Sequence, residues 1–230
     1  MKYKLLVFDW DGTLMDSQQE IISCFQWATR DLDMEPPTDE AIRNIIGLGM
    51  REAITTLFPA LRSPELQSAL VERYRHYYFS PQKPPSVLFE GVFELLHSLQ
   101  EQDYFLAVAT GKGRRGLDGV LKNTGLDAVF HYSRCVDEAH SKPHPQMLED
   151  VMDYMGVMPK DSLMIGDTEY DLQMANNANV ASVAVGCGAH EKSRLLMHNP
   201  LVYLNHTNEL GDWLKQDPMT FSQLKMEREL

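Results

Sequence analysis

Residues 5–13 read LLVFDWDGT, an apolar run that leads directly into two carboxylates and a glycine. Side chains alternate along a strand, so a strand ending here directs Asp9 and Asp11 to the same side unless a turn at Gly12 redirects the second. Two carboxylates this close resist ionising together, which makes a cation or a proton between them necessary. The segment therefore predicts a buried strand that ends in a reactive site, although an acidic turn after an edge strand would have the same local sequence.

Three later segments also place polar side chains at or near the end of a short apolar run. Residues 107–112 read AVATGK, residues 141–145 read SKPHP, and residues 163–171 read LMIGDTEYD. Together with the first segment, and in this order, they resemble the four motifs of the haloacid dehalogenase superfamily of phosphoryl-transfer enzymes. The resemblance covers most of the chain and indicates the phosphoglycolate phosphatase-like branch, which carries a helical cap.

Composition limits the classes of function. The chain has 230 residues, 43% of them hydrophobic, which is ordinary for a globular protein with a sizeable core. Its net charge is -12 and its longest basic run is the pair Arg114 and Arg115, so nucleic acid is not an expected partner. No apolar run suits a signal peptide or a membrane span, so we expect a cytoplasmic protein with no membrane partner. Cys24, Cys135 and Cys187 lack the spacing of a disulfide framework or a zinc site.

Short apolar runs alternate with longer stretches of helical periodicity, which is typical of a parallel sheet with helices on both faces. We therefore predict an α/β fold, and the resemblance implies a Rossmann-like core. A sixth strand is expected within residues 129–135. The five stronger runs are 5–8, 105–109, 163–165, 181–185 and 201–204.

The alternation stops between residues 16 and 85, where helical segments follow one another without a β-type run. The resemblance implies that this insertion is an all-helical cap domain. The predicted catalytic core is then 1–15 together with 86–216, and 217–230 is a C-terminal tail. The first helix of the insertion is expected over 18–31.

Local signals predict the ends of the other inserted helices. Thr38 can cap a second helix that ends near Gly47 and Gly49. Ser63 followed by Pro64 marks the start of a further helix. We interpret the aromatic cluster at its end as helix packing, with ligand stacking as the alternative. The members of this cluster are Tyr74, Tyr77, Tyr78 and Phe79.

The charge of the expected site requires a divalent cation. A phosphate monoester brings about two negative charges, and each like-charged pair about 4 Å apart costs roughly 4 kcal/mol at an effective dielectric of about 20. Mg²⁺ fits because it prefers oxygen ligands and is held by one or two carboxylates with substrate phosphate. The resemblance assigns metal binding to Asp9, the backbone carbonyl of Asp11, and Asp167. Asp171 would bind through water or orient the other ligands.

The resemblance also implies the catalytic roles. Asp9 would attack phosphorus and form an aspartyl-phosphate, which water then hydrolyses. Asp11 would protonate the departing alcohol and later accept a proton from the attacking water. Lys142 would offset the charge of nucleophile and phosphate, although a solvated loop lysine is the alternative interpretation.

The transferring phosphoryl group needs hydrogen-bond donors. The resemblance assigns this role to the hydroxyl of Thr110 and to backbone amides from Trp10 through Gly12 and at Gly111. For Thr110 we also consider a helix cap at the start of a helix over 112–122.

Substrate selectivity is expected to come from the cap. The loop that begins at Gly47 and includes Met50 occupies the position of the family's substrate-specificity loop and ends in a cation, Arg51. This arginine could pair with a substrate carboxylate or second phosphate, or form a surface ion pair with Glu52 or Glu40.

The resulting hypothesis is a Mg²⁺-dependent phosphatase acting on a small phosphorylated metabolite, with phosphoglycolate-like acids as plausible substrates. An acid at Asp11 favours phosphate-ester chemistry within the superfamily, and Ile21 stands where sugar phosphomutases carry histidine. Gly111 replaces the asparagine of many phosphoglycolate phosphatases, which leaves the substrate open. The alternatives are a β-phosphoglucomutase-like enzyme and a non-enzymatic partner-binding protein. We expect a monomer or a weak homodimer.

Overall fold

Eight strands and ten α-helices lie within residues 2–216, the part of the chain that this computed structural model describes. The predicted tail, 217–230, lies outside the described residues. The strands are β1 (Leu5–Phe8), β2 (Met15–Asp16), β3 (Val87–Leu88), β4 (Phe105–Thr110), β5 (Tyr132–Cys135), β6 (Ser162–Gly166), β7 (Ala181–Val185) and β8 (Val202–Leu204). The helices are α1 (Gln18–Arg30), α2 (Asp39–Arg43), α3 (Met50–Leu57), α4 (Pro64–Tyr78), α5 (Val92–Glu101), α6 (Arg114–Thr124), α7 (Gln146–Met155), α8 (Glu169–Asn177), α9 (Lys192–Leu196) and α10 (Leu210–Leu214).

Six strands form one parallel sheet in the order β5-β4-β1-β6-β7-β8. The predicted parallel α/β core is confirmed, and β5 is the sixth strand expected within 129–135. No helix within residues 2–216 combines the length and the apolar character that crossing a bilayer requires.

Helices cover both faces of this sheet, as the apolar runs predicted. Along β1, Leu6 and Phe8 belong to one buried cluster, whereas Leu5 and Val7 belong to the cluster on the opposite face. This alternation follows from the period of two of a strand, and burial on both faces explains the continuous apolar run. Helices α5, α6 and α10 contribute to the first cluster, and α7 and α8 contribute to the second.

Helices α1 to α4 lie between β2 and β3, which pair as a small antiparallel ribbon. They share a separate buried cluster that includes Ile22, Phe25 and Ile54. The expected caps are present, because the side chain of Thr38 accepts a hydrogen bond from the backbone of α2, and that of Ser63 accepts one from α4.

Helix α2 ends earlier than predicted. Its last residue is Arg43, and the chain continues to Gly47 as turns rather than as helix. Gly47 has a φ of 95°, which a right-handed helix does not allow. The prediction that this helix ends near Gly47 and Gly49 is therefore wrong, and Gly49 instead precedes α3.

The sheet topology brings the polar segments together. Strand β1 lies between β4 and β6, and parallel strands direct their carboxyl ends to one edge of the sheet. Asp9 follows β1, Thr110 ends β4, and Asp167 follows β6. The order of the strands reverses at β1, and such a switch point is where open α/β sheets bind ligands.

Candidate active site

Three buried carboxylates converge at this edge. Asp9, Asp167 and Asp171 each offer an oxygen, and these oxygens lie within 4.8 Å of one another. The Nζ atom of Lys142 lies 2.7 Å from Oδ1 of Asp9 and 2.6 Å from Oδ1 of Asp171. The side chain of Lys142 is fully buried. The alternative of a solvated loop lysine is therefore wrong.

Burial of these acids shifts their protonation. Burial raises the pKa of Asp9 to about 7; the Lys142 ammonium opposes that rise, and the carboxylates of Asp171 and Asp11 add to it. Burial also raises the pKa of Asp167 well above its usual value, and Asp9 and Asp171 add to that shift. Three acids share the one ammonium of Lys142, which contacts two of them, so the cluster lacks the positive charge that would ionise all three.

The cluster fits a small divalent cation. The Oδ2 atom of Asp9 is buried and has no hydrogen-bond partner among the described residues. Such an atom is costly unless a ligand or an ion satisfies it. The donors are carboxylate oxygens, the ligand type that Mg²⁺ prefers. Asp9 and Asp167, with the backbone carbonyl of Asp11, are the residues that would hold it.

Hydrogen bonds fix the acids that follow β6. Thr13 Oγ1 donates to Asp167 Oδ1 at 2.7 Å, and the backbone N–H of Ala189 donates to Asp167 Oδ2 at 2.8 Å. The backbone N–H and hydroxyl of Thr168 donate to Asp171 Oδ2 at 3.1 and 2.6 Å. Asp171 is thereby tied to Thr168 and Lys142. Sequence reasoning missed Thr13, Thr168 and Ala189.

Two predicted substrate-binding glycines allow close approach of the chain. Gly12 has a φ of 85°, and a Cβ atom there would lie 2.2 Å from Asp167 Oδ2. A Cβ atom at Gly111 would lie 2.6 Å from the carbonyl oxygen of Gly47. A larger side chain at Gly111 would therefore clash with the backbone of the inserted helical segment.

Asp11 is held apart from the three-acid cluster. Ser17 Oγ donates to Asp11 Oδ1 at 2.7 Å, and the Nζ atom of Lys112 lies 3.0 Å from Asp11 Oδ2. Lys112 also donates to the hydroxyl of Tyr78 at 2.9 Å. Burial lowers the pKa of Lys112, but Asp11 and Tyr78 outweigh it, so this pKa lies above its usual value. Sequence reasoning missed Lys112, although it stands two residues after Thr110.

Thr110 lies at the end of β4 and is buried. Its hydroxyl accepts a hydrogen bond from the backbone of Lys112 at 3.1 Å. Helix α6 starts at Arg114, and Gly113 occupies the capping position. The interpretation of Thr110 as the cap of a helix over 112–122 is therefore wrong.

A cavity of about 300 Å³ joins the catalytic edge of the sheet to the inserted helices. Gly47 and Met50 line it, as do Asp9, Asp11, Thr110 and Gly111 at the sheet edge. The remaining lining residues are Ile21, Phe25, Ile45, Ile46, Leu48, Ala53, Tyr74, Arg75, Tyr78, Phe79, Lys112, Gly113, Arg115, Gly116, Val136 and Asp137.

Two residues predicted to bind substrate, Arg51 and Trp10, are not among the residues that line the cavity. Arg51 is exposed on α3, and within residues 2–216 it forms no ion pair with Glu52 or Glu40. The alternative of a surface ion pair for Arg51 is therefore wrong. The ring of Trp10 is fully buried in the core, where its Nε1 donates to Sδ of Met15 at 3.4 Å. Only the backbone amide of Trp10 remains available to bind the phosphoryl oxygens, which is the role predicted for it.

Comparison with known proteins identifies the family. The family model for haloacid dehalogenase-like hydrolases matches residues 6–185. The chain is 35% identical over 209 residues to the probable phosphatase IndB of Dickeya dadantii (strain 3937), covering 90% of this chain and 91% of that protein. It is 26% identical over 211 residues to the pyrophosphatase PpaX of Bacillus cereus (strain AH820), covering 91% of this chain and 95% of that protein.

Solved structures show the same fold. A predicted phosphoglycolate phosphatase from Haemophilus somnus 129pt superposes with a TM-score of 0.83 at 23% identity, covering 93% of this chain and 99% of that one. A hydrolase from Pseudomonas syringae superposes with a TM-score of 0.84 at 22% identity, covering 94% and 100%. The chain belongs to the haloacid dehalogenase-like hydrolase family. The resemblance, the fold class and the predicted hydrolase class are confirmed.

Proposed function

We propose that the protein is a Mg²⁺-dependent phosphatase that hydrolyses the phosphate monoester of a small metabolite through an aspartyl-phosphate at Asp9. The observation that carries the proposal is the buried cluster of Asp9, Asp167 and Asp171 around Lys142, open to the cavity at Asp9. The names of the two relatives, a phosphatase and a pyrophosphatase, support the same chemistry. Phosphoglycolate, which the resemblance suggests, is the first substrate to compare.

The proposed reaction has two displacements at phosphorus. A carboxylate oxygen of Asp9 attacks, the bond from phosphorus to the alcohol oxygen breaks, and Asp11 gives that oxygen its proton. Water then attacks phosphorus, Asp11 accepts the proton of the water, and the bond to Asp9 breaks. Thr110 and the amides of Gly111 and residues 10–12 hold the phosphoryl oxygens. Bound Mg²⁺ would neutralise charge on the phosphoryl group.

Mg²⁺ should stabilise the protein through Asp167. At about 100 times its dissociation constant, a ligand of the native state adds about 2.7 kcal/mol, which for a chain of this size corresponds to a rise in Tm of about 5–10 °C. We expect this rise in the wild type and its absence in Asp167→Asn. Thermal unfolding with chelator and with Mg²⁺ measures it.

Asp127→Asn is the control, because it makes the same change of charge at an exposed residue. It should keep the full Mg²⁺ response. Turnover of phosphate esters in the same buffers should require Mg²⁺, and equal turnover in chelator would contradict the proposed metal dependence.

The inserted helices are proposed to form a cap, residues 16–85, that closes over the site. Asn44 lies after α2 and contacts the core. Its carbonyl oxygen accepts hydrogen bonds from the Tyr170 hydroxyl at 2.8 Å and from His190 Nε2 at 3.4 Å. Its side-chain oxygen accepts one from Arg194, which also pairs with Glu169. Closure of such a cap would exclude water and complete the site.

Removing the side chain of Asn44 should weaken closure. We expect Asn44→Ala to raise KM about fivefold with kcat unchanged, since one lost hydrogen bond is worth about 1 kcal/mol. Steady-state kinetics with Mg²⁺ and a phosphate ester test this effect. Asn123→Ala, on the exposed side of α6, is the matched control. Equal KM values for the two variants would contradict the closing role of Asn44.

The mutase alternative has no specific support in the cavity. Ile21 lines it, and an isoleucine can neither donate nor accept a proton. Incubation with a sugar 1-phosphate separates the two activities, since a phosphatase releases free phosphate whereas a mutase yields the 6-phosphate.

A further inference from the structure

The two ends of the cavity differ in chemistry. At the sheet edge it is lined by Asp9, Asp11 and Thr110, whereas its helical side is lined mainly by aliphatic and aromatic side chains, with Arg75 as the exception. The lining residues on that side come from α1, α3, α4 and the turns between α2 and α3. The apolar side chains that decide its character are those of Ile21, Phe25, Ile45, Ile46, Met50 and Ala53. We call this part of the cavity the apolar chamber.

Aromatic rings form one wall of the apolar chamber. The ring centres of Phe25 and Tyr74 are 4.6 Å apart. The ring centres of Tyr74 and Tyr78 are 6.1 Å apart, and the planes of these two rings are nearly parallel, with an angle of 14° between them. Burial raises the pKa of Tyr74 well above its usual value, so its hydroxyl is neutral. Aromatic walls of this kind favour flat apolar groups, which stack against them.

The cations that line the cavity are not among the six side chains that define the apolar chamber. Among the described lining residues they are Lys112, Arg75 and Arg115. Lys112 lies at the sheet edge, with its Nζ atom 3.0 Å from Asp11 Oδ2. Arg75 and Arg115 are exposed, and the guanidinium of Arg115 lies over the ring of Phe79, 4.2 Å from its centre. A carboxylate or second phosphate placed among these six apolar side chains would lose water without gaining a charged partner from them.

We propose that the apolar chamber receives the alcohol part of the substrate and selects phosphate monoesters whose alcohol part is apolar and about the size of one ring. The inference rests on the proposed phosphatase function. The cavity volume agrees with it, since about 300 Å³ is at the lower limit of small-molecule sites, which hold roughly 300–1,000 Å³.

The test compares four phosphate compounds with Mg²⁺ present: benzyl phosphate, phosphoglycolate, glucose 6-phosphate and pyrophosphate. The first three are esters of primary alcohols, so their leaving groups are comparable. We expect kcat/KM for benzyl phosphate to exceed each of the others at least about tenfold, the discrimination that an apolar pocket provides. Equal or faster turnover of any of the other three would overturn this inference and leave the phosphatase function standing. No turnover of any of the four would overturn both.

A charge placed in the apolar chamber should change the preference. Met50→Lys adds an ammonium at the lining, and we expect kcat/KM to fall at least about tenfold for benzyl phosphate and to rise for phosphoglycolate. Thr56→Lys adds the same charge to the exposed side of α3, outside the lining, and should leave both values within about twofold. An equal change for both substrates in Met50→Lys would contradict the selection.

Product inhibition of the wild-type protein is a second test of the inference, and it requires no variant that might fail to fold. Benzyl alcohol should compete with substrate at a concentration where glycolate does not. The reverse order would overturn the inference.

Discussion

Asp9→Asn should lower kcat for every phosphate ester by at least about four orders of magnitude, because an amide cannot replace the carboxylate as the nucleophile. Among residues 2–216, no second acid lies in the position of Asp9. Asp167 is held by Thr13 and Ala189, and Asp171 is held by Thr168 and Lys142. Turnover with Mg²⁺ at saturating substrate measures the effect.

The fold should survive this change. Lys142 also contacts Asp171, at 2.6 Å, so we expect its ammonium to stay paired when Asp9 loses its charge. Asp16→Asn is the matched control, since Asp16 is exposed in β2 and lies outside the cavity lining. It should retain wild-type turnover. Activity of Asp9→Asn within about tenfold of the wild type, in a protein of normal circular dichroism, would exclude Asp9 as the nucleophile.

Lys142→Met should be the most destabilising substitution in the site. It removes the ammonium that lies between the carboxylates of Asp9 and Asp171 and leaves them buried without a counter-charge. Breaking a buried ion pair in this way costs about 3–5 kcal/mol in the free energy of unfolding. Urea unfolding of the metal-free protein measures this loss, and turnover should be abolished as well. Lys122→Met, at an exposed position of α6, should stay within about 0.5 kcal/mol of the wild type.

The stability deficit of Lys142→Met should depend on pH. The folded-state pKa of Asp9 is about 7, above its ordinary value of 3.8, so folding favours its protonated form and metal-free stability falls as the pH rises between these values. Lys142 opposes that rise in pKa, so its removal raises the pKa of Asp9 further. The variant then continues to lose stability above about pH 7, where the contribution from Asp9 in the wild type has levelled off. A deficit no larger at about pH 8.5 than at about pH 6.5 would contradict this coupling.

The convergence of the four motifs could be predicted from sequence because a simple rule governs it. Asp9, Thr110 and Asp167 each stand at the end of an apolar run, and parallel strands end at one edge, whereas Lys142 comes seven residues after β5. Asp9 and Asp167 meet because β1 and β6 pair directly, and Thr110 joins them because β4 pairs with β1 on the other side. Applying this rule requires only that the sheet is parallel, and the alternation of short apolar runs with helical stretches predicts a parallel sheet.

The orientation of the specificity segment could not be predicted in the same way. Met50 and Ala53 are three residues apart and share one face of α3, which lines the cavity, whereas Arg51 lies about 100° around the helix and is exposed. The packing of Ala53 and Ile54 in the buried cluster of the inserted helices decides which face of α3 meets the cavity. Such packing joins segments that are distant in the chain, so the local sequence does not determine it.

Contacts between segments distant in the chain could not be predicted from the sequence either. Thr13 and Ala189 hold Asp167, although the chain separates all three widely, and Lys112 joins Asp11 to Tyr78 of an inserted helix. No local pattern records such pairings, because they depend on how loops from different strands meet above the sheet.

Mass analysis of protein quenched in acid during turnover tests the central claim most directly. With benzyl phosphate or phosphoglycolate and Mg²⁺, the peptide that contains Asp9 should carry one phosphoryl group, and the Asp9→Asn protein should carry none. A phosphoryl group on another residue, or a protein that turns over substrate rapidly without ever carrying one, would contradict nucleophilic attack by Asp9.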